Sequence, residues 1–187
     1  MFEYVMVLAS IIIGLSITHL LMGLSGLIQR STAIRVSWLH LVWVAYAFLV
    51  TVFWWWWQFR LQDTVIWTFQ IYLFVLFYAV LSFMTAALLF PPHLDKDADY
   101  ETYFLDRRAW FFGLQIINIM VDYADSWLKG ADHFASLGPE YVIASIIQIV
   151  ACGVGIATRN IRYHWVLAIG MLVYQLSWAL RQFGTMV

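Results

Sequence analysis

The chain has 187 residues, of which 64% are hydrophobic and only 11% charged, and its formal net charge is −1. Soluble globular domains average ~25% charged residues, so the composition excludes an ordinary soluble domain. The near-neutral charge, without a cluster of bases among aromatics, excludes a nucleic-acid binder.

A mean hydropathy of +0.80 points to an integral membrane protein, and the length suits one bundle. The single cysteine, Cys152, leaves no intrachain disulfide and no Cys-based zinc site. The first apolar run begins almost at Met1, lacks a basic leader and is long enough to span, so it reads as retained rather than cleaved.

Apolar segments predict spans near 4–29, 36–59, 65–90, 109–128, 140–158 and 163–181, with a surface connector over 91–108. Five reach or approach the ~20 residues that a bilayer core requires. Backbone in lipid must satisfy its own hydrogen bonds, so the predicted fold is all-α, a polytopic bundle of six transmembrane helices.

In the first span, Ser10, Gly14 and Thr18 stand at i, i+4 spacing, with Gly23 and Gly26 beyond. Such rows predict close helix packing. His19 lies past the middle, where a hydrogen bond to a neighbouring helix is expected. The second span begins near His40 and ends in Trp54, Trp55, Trp56, Trp57, Gln58, Phe59 and Arg60. Four consecutive tryptophans point all round a helix, as in an interfacial belt with a snorkelling arginine. The third span carries Thr68, Tyr78, Ser82 and Thr85, suited to interhelix hydrogen bonds, and stops at Pro91-Pro92.

The connector places Asp95, Asp97 and Asp99 at alternate positions. That pattern resembles the start of a calcium loop, but Tyr100 stands at the glycine position and Asp106 replaces the bidentate Glu. A solvated turn capping a short surface helix is the reading, with Tyr100, Tyr103 and Phe104 on the membrane surface.

The fourth span is unlike the rest. Phe111, Gln115, Asn118, Asp122, Asp125 and Lys129 fall within an arc of roughly 80° at helical periodicity. An Asp near the bilayer centre costs ~2.5–3.5 kcal/mol on insertion scales. The stripe must therefore face a cavity, an ion path or charged partners. Because 109–121 is an uncharged run of only 13 residues, the alternative is five spans plus a re-entrant or interfacial helix at 109–128. In the fifth span, Ser145, Gln148, Cys152 and Gly155 form a small-residue seam, and the sixth bears His164, Tyr174, Gln175, Ser177 and Arg181.

With six spans, Arg30, Arg35, Lys96, Arg107, Arg108, Arg159 and Arg162 fall on one side and Arg60, Lys129 and Arg181 on the other. The positive-inside rule then puts both termini outside a plasma or inner membrane. With five spans the tally is again seven against three, but the C-terminus moves inside. In the six-span arrangement Arg60 and Arg181 flank the acids, so an Asp–Arg contact is expected, most directly from Asp125. His19, His40 and His164 are not placed to converge on a haem, and no cofactor is predicted.

In size and helix count the chain is similar to prokaryotic relatives of lysosomal potassium channels. The Phe-Ser-Asp motif of their first helix is absent, and nothing is carried over from them. No nucleophile–base set stands at catalytic spacing, and H-E-x-x-H is missing. The functional expectation is a small cation or proton channel or carrier, with Asp122, Asp125, Asn118 and Gln115 lining the path. The alternative is a scaffold, sensor or accessory subunit in which the stripe is structural glue. The expected partners are lipid and either a second copy of the chain or another membrane subunit.

Overall fold

A computed structural model describes residues 2–29, 36–64, 66–91 and 99–183. Among these, six long helices dominate: α1 (Phe2–Gln29), α2 (Trp38–Trp57), α4 (Phe69–Ala87), α5 (Tyr100–Leu128), α7 (Gly138–Ala157) and α8 (Ile161–Phe183). Two short ones, α3 (Leu61–Thr64) and α6 (Ala131–Ser136), sit in connectors.

Local chemistry sets the boundaries. The side chains of Ser37, Thr68 and Asp99 accept from the backbone N–H groups of His40, Ile71 and Glu101, giving α2, α4 and α5 their N-caps. Gly130 at φ 111° and Gly138 at φ 70° occupy left-handed backbone on either side of α6, conformations that other residues adopt only with strain. Pro139 opens α7 in the first turn, where a missing N–H costs nothing.

Neighbouring helices run in opposite directions along the chain. Phe2 meets Trp67, and His19 meets Phe90, so α1 and α4 run the same way. Trp43 meets Phe111 while Gln58 reaches Asp125, so α2 and α5 run together, opposite to α1 and α4. Arg108 reaches the Thr158 carbonyl and Tyr141 reaches Asp122, which makes α7 antiparallel to α5. The central element is α2, in contact with α1, α4, α5 and α8.

The core has two parts. At one end Trp43 is surrounded by the rings of Tyr46, Phe104, Phe111 and Phe112 at 5.1–6.0 Å. At the other, Val5, Ala9 and Ile13 of α1 pack with Trp54, Val75 and Ala79. Outside, large apolar side chains stand exposed, among them Val7, Ile11, Leu15 and Met22 on α1 and Ile143, Ile146, Ile147 and Val150 on α7. Such faces fit acyl chains rather than water.

Four helices are long and apolar enough to cross a membrane, Phe2–Gln29, Trp38–Arg60, Phe69–Ala87 and Gly138–Ala157. The architecture is thus a helical bundle compatible with an integral membrane protein. α5 and α8 have the length, at 29 and 23 residues, but carry more polar side chains.

Three expectations need correction. From Tyr100 onward the predicted connector 91–108 is the start of α5, which runs continuously into the fourth predicted span rather than ending as a separate surface helix. Nothing between Asp99 and Gly130 breaks it, and Tyr100 and Phe104 are buried in the core rather than laid on the surface. In α1 the close approach is made by Gly23, whose added Cβ would meet the Phe90 ring at 2.2 Å. Gly14 and Gly26 have nothing within 4 Å, so of the glycines in the predicted row Gly23 alone makes a close approach. The seam on α7 behaves otherwise, with Cys152 buried and Gly155 against Phe112.

Candidate functional site

The polar stripe of α5 is turned into the bundle. Gln115 and Asp125 are buried, while Ile117, Met120 and Trp127 on the opposite face are 43%, 60% and 62% exposed. Asn118 donates to Thr85 Oγ1 on α4 at 2.9 Å and to its own helix at the Leu114 carbonyl. The two acids, three residues apart, have different surroundings.

Asp122 lies between two tyrosines. Tyr78 of α4 donates to Oδ1 at 3.0 Å, and Tyr141 of α7 donates to Oδ2 at 2.7 Å. Ser126 Oγ is 3.2 Å from the same Tyr141 hydroxyl. Among the described residues no cation comes within ion-pair distance of Asp122.

Asp125 is instead sealed in. Lys129 Nζ, one helical turn along, sits 2.5 Å from Oδ2, and Gln58 Nε2 donates to the same oxygen at 3.1 Å. The two charged side chains are 1% and 5% exposed. The expected Asp125–Arg contact is therefore made by a lysine. Spacing of i, i+4 on one helix brings Lys129 in without a second element. Arg181 pairs with Glu140 on α7 through both guanidinium nitrogens at 2.6 and 2.7 Å, and Arg60 approaches Nδ1 of His133 at 3.5 Å.

Asp122 faces a cavity of about 120 Å³, room for several waters. Asp125 does not line it. Around Asp122 the walls come from α2 (Tyr46, Trp54, Trp57), α4 (Tyr78), α7 (Tyr141, Gln148) and α8 (Tyr174, Gln175, Trp178), with Gln115, Asn118 and Lys129 from α5 itself. His133 and Leu137, beyond α5, line the end towards α6. Burial, and then the positive charges of Arg60 and Lys129, hold the His133 imidazole down to about 4. Trp54 Nε1 is buried without a protein acceptor among the described residues.

At the other end the cavity stops. One turn beyond its polar lining, four of the five wall helices supply a buried side chain of low polarity: Trp43 beyond Tyr46, Phe112 beyond Gln115, Cys152 beyond Gln148, Met171 beyond Tyr174. These belong to one contiguous cluster. The cavity is thus a blind vestibule with a polar and aromatic lining.

His19, His40 and His164 lie elsewhere. Nε2 of His40 is 2.7 Å from the Leu89 carbonyl, and Nε2 of His19 is 3.2 Å from that of Phe90. These carbonyls lie just past the end of α4, and the two histidines bond them from α1 and α2. His164 bonds the Thr158 carbonyl at 3.0 Å. Of the connector acids, Asp99 is the N-cap of α5, taking Glu101 N–H and Thr102 Oγ1. Asp95 and Asp97 lie outside the described residues. Among the described residues there is no group of three or more His, Cys, Asp or Glu able to hold a metal ion.

Tyr141, Ser126 and Gln58 were not visible as site residues from the sequence. No family model matches the chain, and neither a curated protein nor a solved structure matches it.

Proposed function

We propose that this chain is a membrane carrier for a small cation, with Asp122 as the binding carboxylate. One observation carries the reading: a carboxylate held by two tyrosine hydroxyls, with no ion-pair partner among the described residues, faces a cavity with room for several waters, and Lys129, the cation in its wall, is paired with Asp125. An intramembrane acid is costly unless its charge is offset or it is protonated. A bound cation or proton offsets it, and the hydroxyl and amide groups of Tyr46, Asn118, Gln115 and Gln148 replace part of the cation's water. The aromatic plug favours a carrier over an open channel, since a pore needs a continuous polar path.

Asp125 has a separate, structural part in this proposal. Its pairing with Lys129 and Gln58 is internal and sealed, which supports the glue reading for that acid and not for Asp122. α5 and α8 are taken as the two further crossings of a six-span topology, with the vestibule and both termini outside. A C-terminal reporter found in the cytoplasm would remove that topology.

The test is cation flux in proteoliposomes. Asp122→Asn is expected to abolish flux, whereas Asp125→Asn retains flux per folded molecule and lowers stability. Flux in Asp122→Asn equal to that of the unaltered protein refutes the carrier.

A further inference from the structure

A second hollow adjoins the vestibule. Between α7 and α8 lies an apolar groove of about 490 Å³, bordered by Ile147, Ala151, Val166 and Gly170. It opens on the outer face of the bundle, where acyl chains would lie. α7 and α8 are tied at both ends of it. At one end Arg181 holds Glu140 through two hydrogen bonds, and at the other the Tyr163 hydroxyl donates to the Ala151 carbonyl at 2.7 Å. Between these ties the helices part over about 16 Å of helix length, from residue 140 to 151 at 1.5 Å per residue.

The groove and the vestibule share two wall residues, Gln148 and Tyr174. One side of that wall is apolar and lipid-facing. The other carries Asp122, which has no ion-pair partner among the described residues, with Trp54 and Trp57 alongside; of the cations nearby, Lys129 is paired with Asp125 and Arg181, which lies over the Trp178 ring, is paired with Glu140. Cationic ammonium heads are attracted both by a carboxylate and by the faces of such rings.

We propose that the substrate is a single-chain amphiphile with an ammonium head, entering sideways from the bilayer between α7 and α8, its head beside Asp122 and its chain in the groove. The inference rests on the cation-carrier reading and adds to it the substrate class and the route. Charge complementarity chooses the occupant: a zwitterionic or anionic lipid would bring a phosphate or carboxylate against Asp122. A tail leaving lipid for the groove gains little by itself, because both surroundings are apolar. Selectivity therefore comes from the head, and the groove supplies access.

The experiment uses the full chain in phosphatidylcholine nanodiscs, with empty nanodiscs subtracted. The probes are radiolabelled tetramethylammonium, octyltrimethylammonium and octanesulfonate. Gly170 has open space where a side chain would stand, so Gly170→Leu fills the groove. Asp122→Asn is expected to weaken both ammonium ions by about tenfold or more. Gly170→Leu is expected to weaken the octyl compound by about tenfold, through overpacking where its chain lies. Tetramethylammonium, entering from the aqueous mouth, is expected to bind the Gly170→Leu protein unchanged, which also shows that the variant is folded. Octanesulfonate is expected not to bind.

Octyltrimethylammonium that binds the Gly170→Leu protein as tightly as the unaltered one overturns the lateral route and leaves the cation carrier standing. The same holds if Gly170→Leu instead breaks an oligomer, which would assign the groove to a second copy. Failure of both ammonium ions to bind, with cation flux still dependent on Asp122, overturns the substrate class alone. Failure of binding and of flux together removes the carrier as well.

Discussion

The Tyr141 hydroxyl of α7 donates to Asp122 Oδ2 of α5 at 2.7 Å, while Tyr78 of α4 holds the other oxygen from the opposite side. The carboxylate is thus fixed between two helices, α4 and α7, that Asn118 and Arg108 of α5 also reach by hydrogen bonds. Removing one hydroxyl should loosen this clamp without opening a cavity larger than a single oxygen atom. Interhelical hydrogen bonds in membranes average ~0.6 kcal/mol in double-mutant cycles, reaching ~1.7 kcal/mol. Tyr141→Phe and Tyr78→Phe are each expected to cost about that much in reversible unfolding in mixed micelles. In an Asp122→Asn background the same changes should cost less, because the charged acceptor is gone. Equal losses in both backgrounds would show that the tyrosines act by packing alone.

Lys129 and Asp125 offer a sharper contrast. Both are buried, so deleting one leaves the other as a lone charge inside the bundle. Breaking such a pair typically costs ~3–5 kcal/mol, whereas replacing both members with apolar groups of similar volume is often neutral. Asp125→Leu is therefore expected to be severely destabilising, and Asp125→Leu with Lys129→Met to recover most of the loss. The readout is the melting temperature in detergent. A double variant as unstable as the single one would show that the pair is needed for more than mutual neutralisation.

The inward face of α5 was legible in the sequence because helical periodicity alone put Gln115, Asn118, Asp122, Asp125 and Lys129 on one side. The pairings were less so. Tyr78 and Thr85 stand out as groups suited to interhelix hydrogen bonds, and both bond α5, but Tyr141, 19 residues from Asp122, has nothing in its local sequence that separates it from the chain's other tyrosines. Lys129 was within reach as the i+4 neighbour of Asp125, but charge tallies by connector assigned it to the surface. The same tallies favoured Arg181, which Glu140 at the start of α7 holds instead. Helix α5 was read too short because Asp106, Arg107 and Arg108 look like a loop to a hydropathy scan. In the fold Asp106 pairs with Arg159, and Arg108 donates to the Thr158 carbonyl, so these charges close the α7–α8 turn against the first turns of α5.

The glycines of α1 and α7 separate close approach from mere permissiveness. A Cβ on Gly23 would lie 2.2 Å from the Phe90 ring, and one on Gly155 would lie 3.0 Å from Phe112. Overpacking of this kind costs ~1–3 kcal/mol. Gly23→Ala is expected to fall in that range, Gly155→Ala at or below its lower end, and Gly14→Ala to be neutral or slightly stabilising, since a helical Gly is ~1 kcal/mol worse than Ala. Thermal unfolding of the three proteins in one detergent checks the order. A Gly14→Ala loss as large as that of Gly23→Ala would mean that another chain covers the Gly14 face.

His133 gives the fold a pH dependence of definite sign. Its ring is half-buried where α6 meets the vestibule, and Arg60 points Nη1 at Nδ1, so that nitrogen accepts only while the ring is neutral. Burial and the charges of Arg60 and Lys129 bring the imidazole from 6.5 to about 4 in the folded chain. The unfolded chain, with its ordinary histidine, therefore binds a proton first as pH falls. Above 6.5 the neutral ring is common to both states and the full stability is present. Between 6.5 and 4 the unfolded state gains the proton and stability declines; below 4 both states are protonated and the loss from this residue is complete. The ring is partly open to solvent, so the decline is modest. Replacing it with a neutral amide removes the titration, and His133→Gln is expected to flatten the pH 4–6.5 limb of the unfolding midpoint while leaving the pH 7.5 value close to that of the unaltered protein. Parallel curves for the two proteins across that interval would show that His133 is protonated in the fold at the same pH as in the open chain.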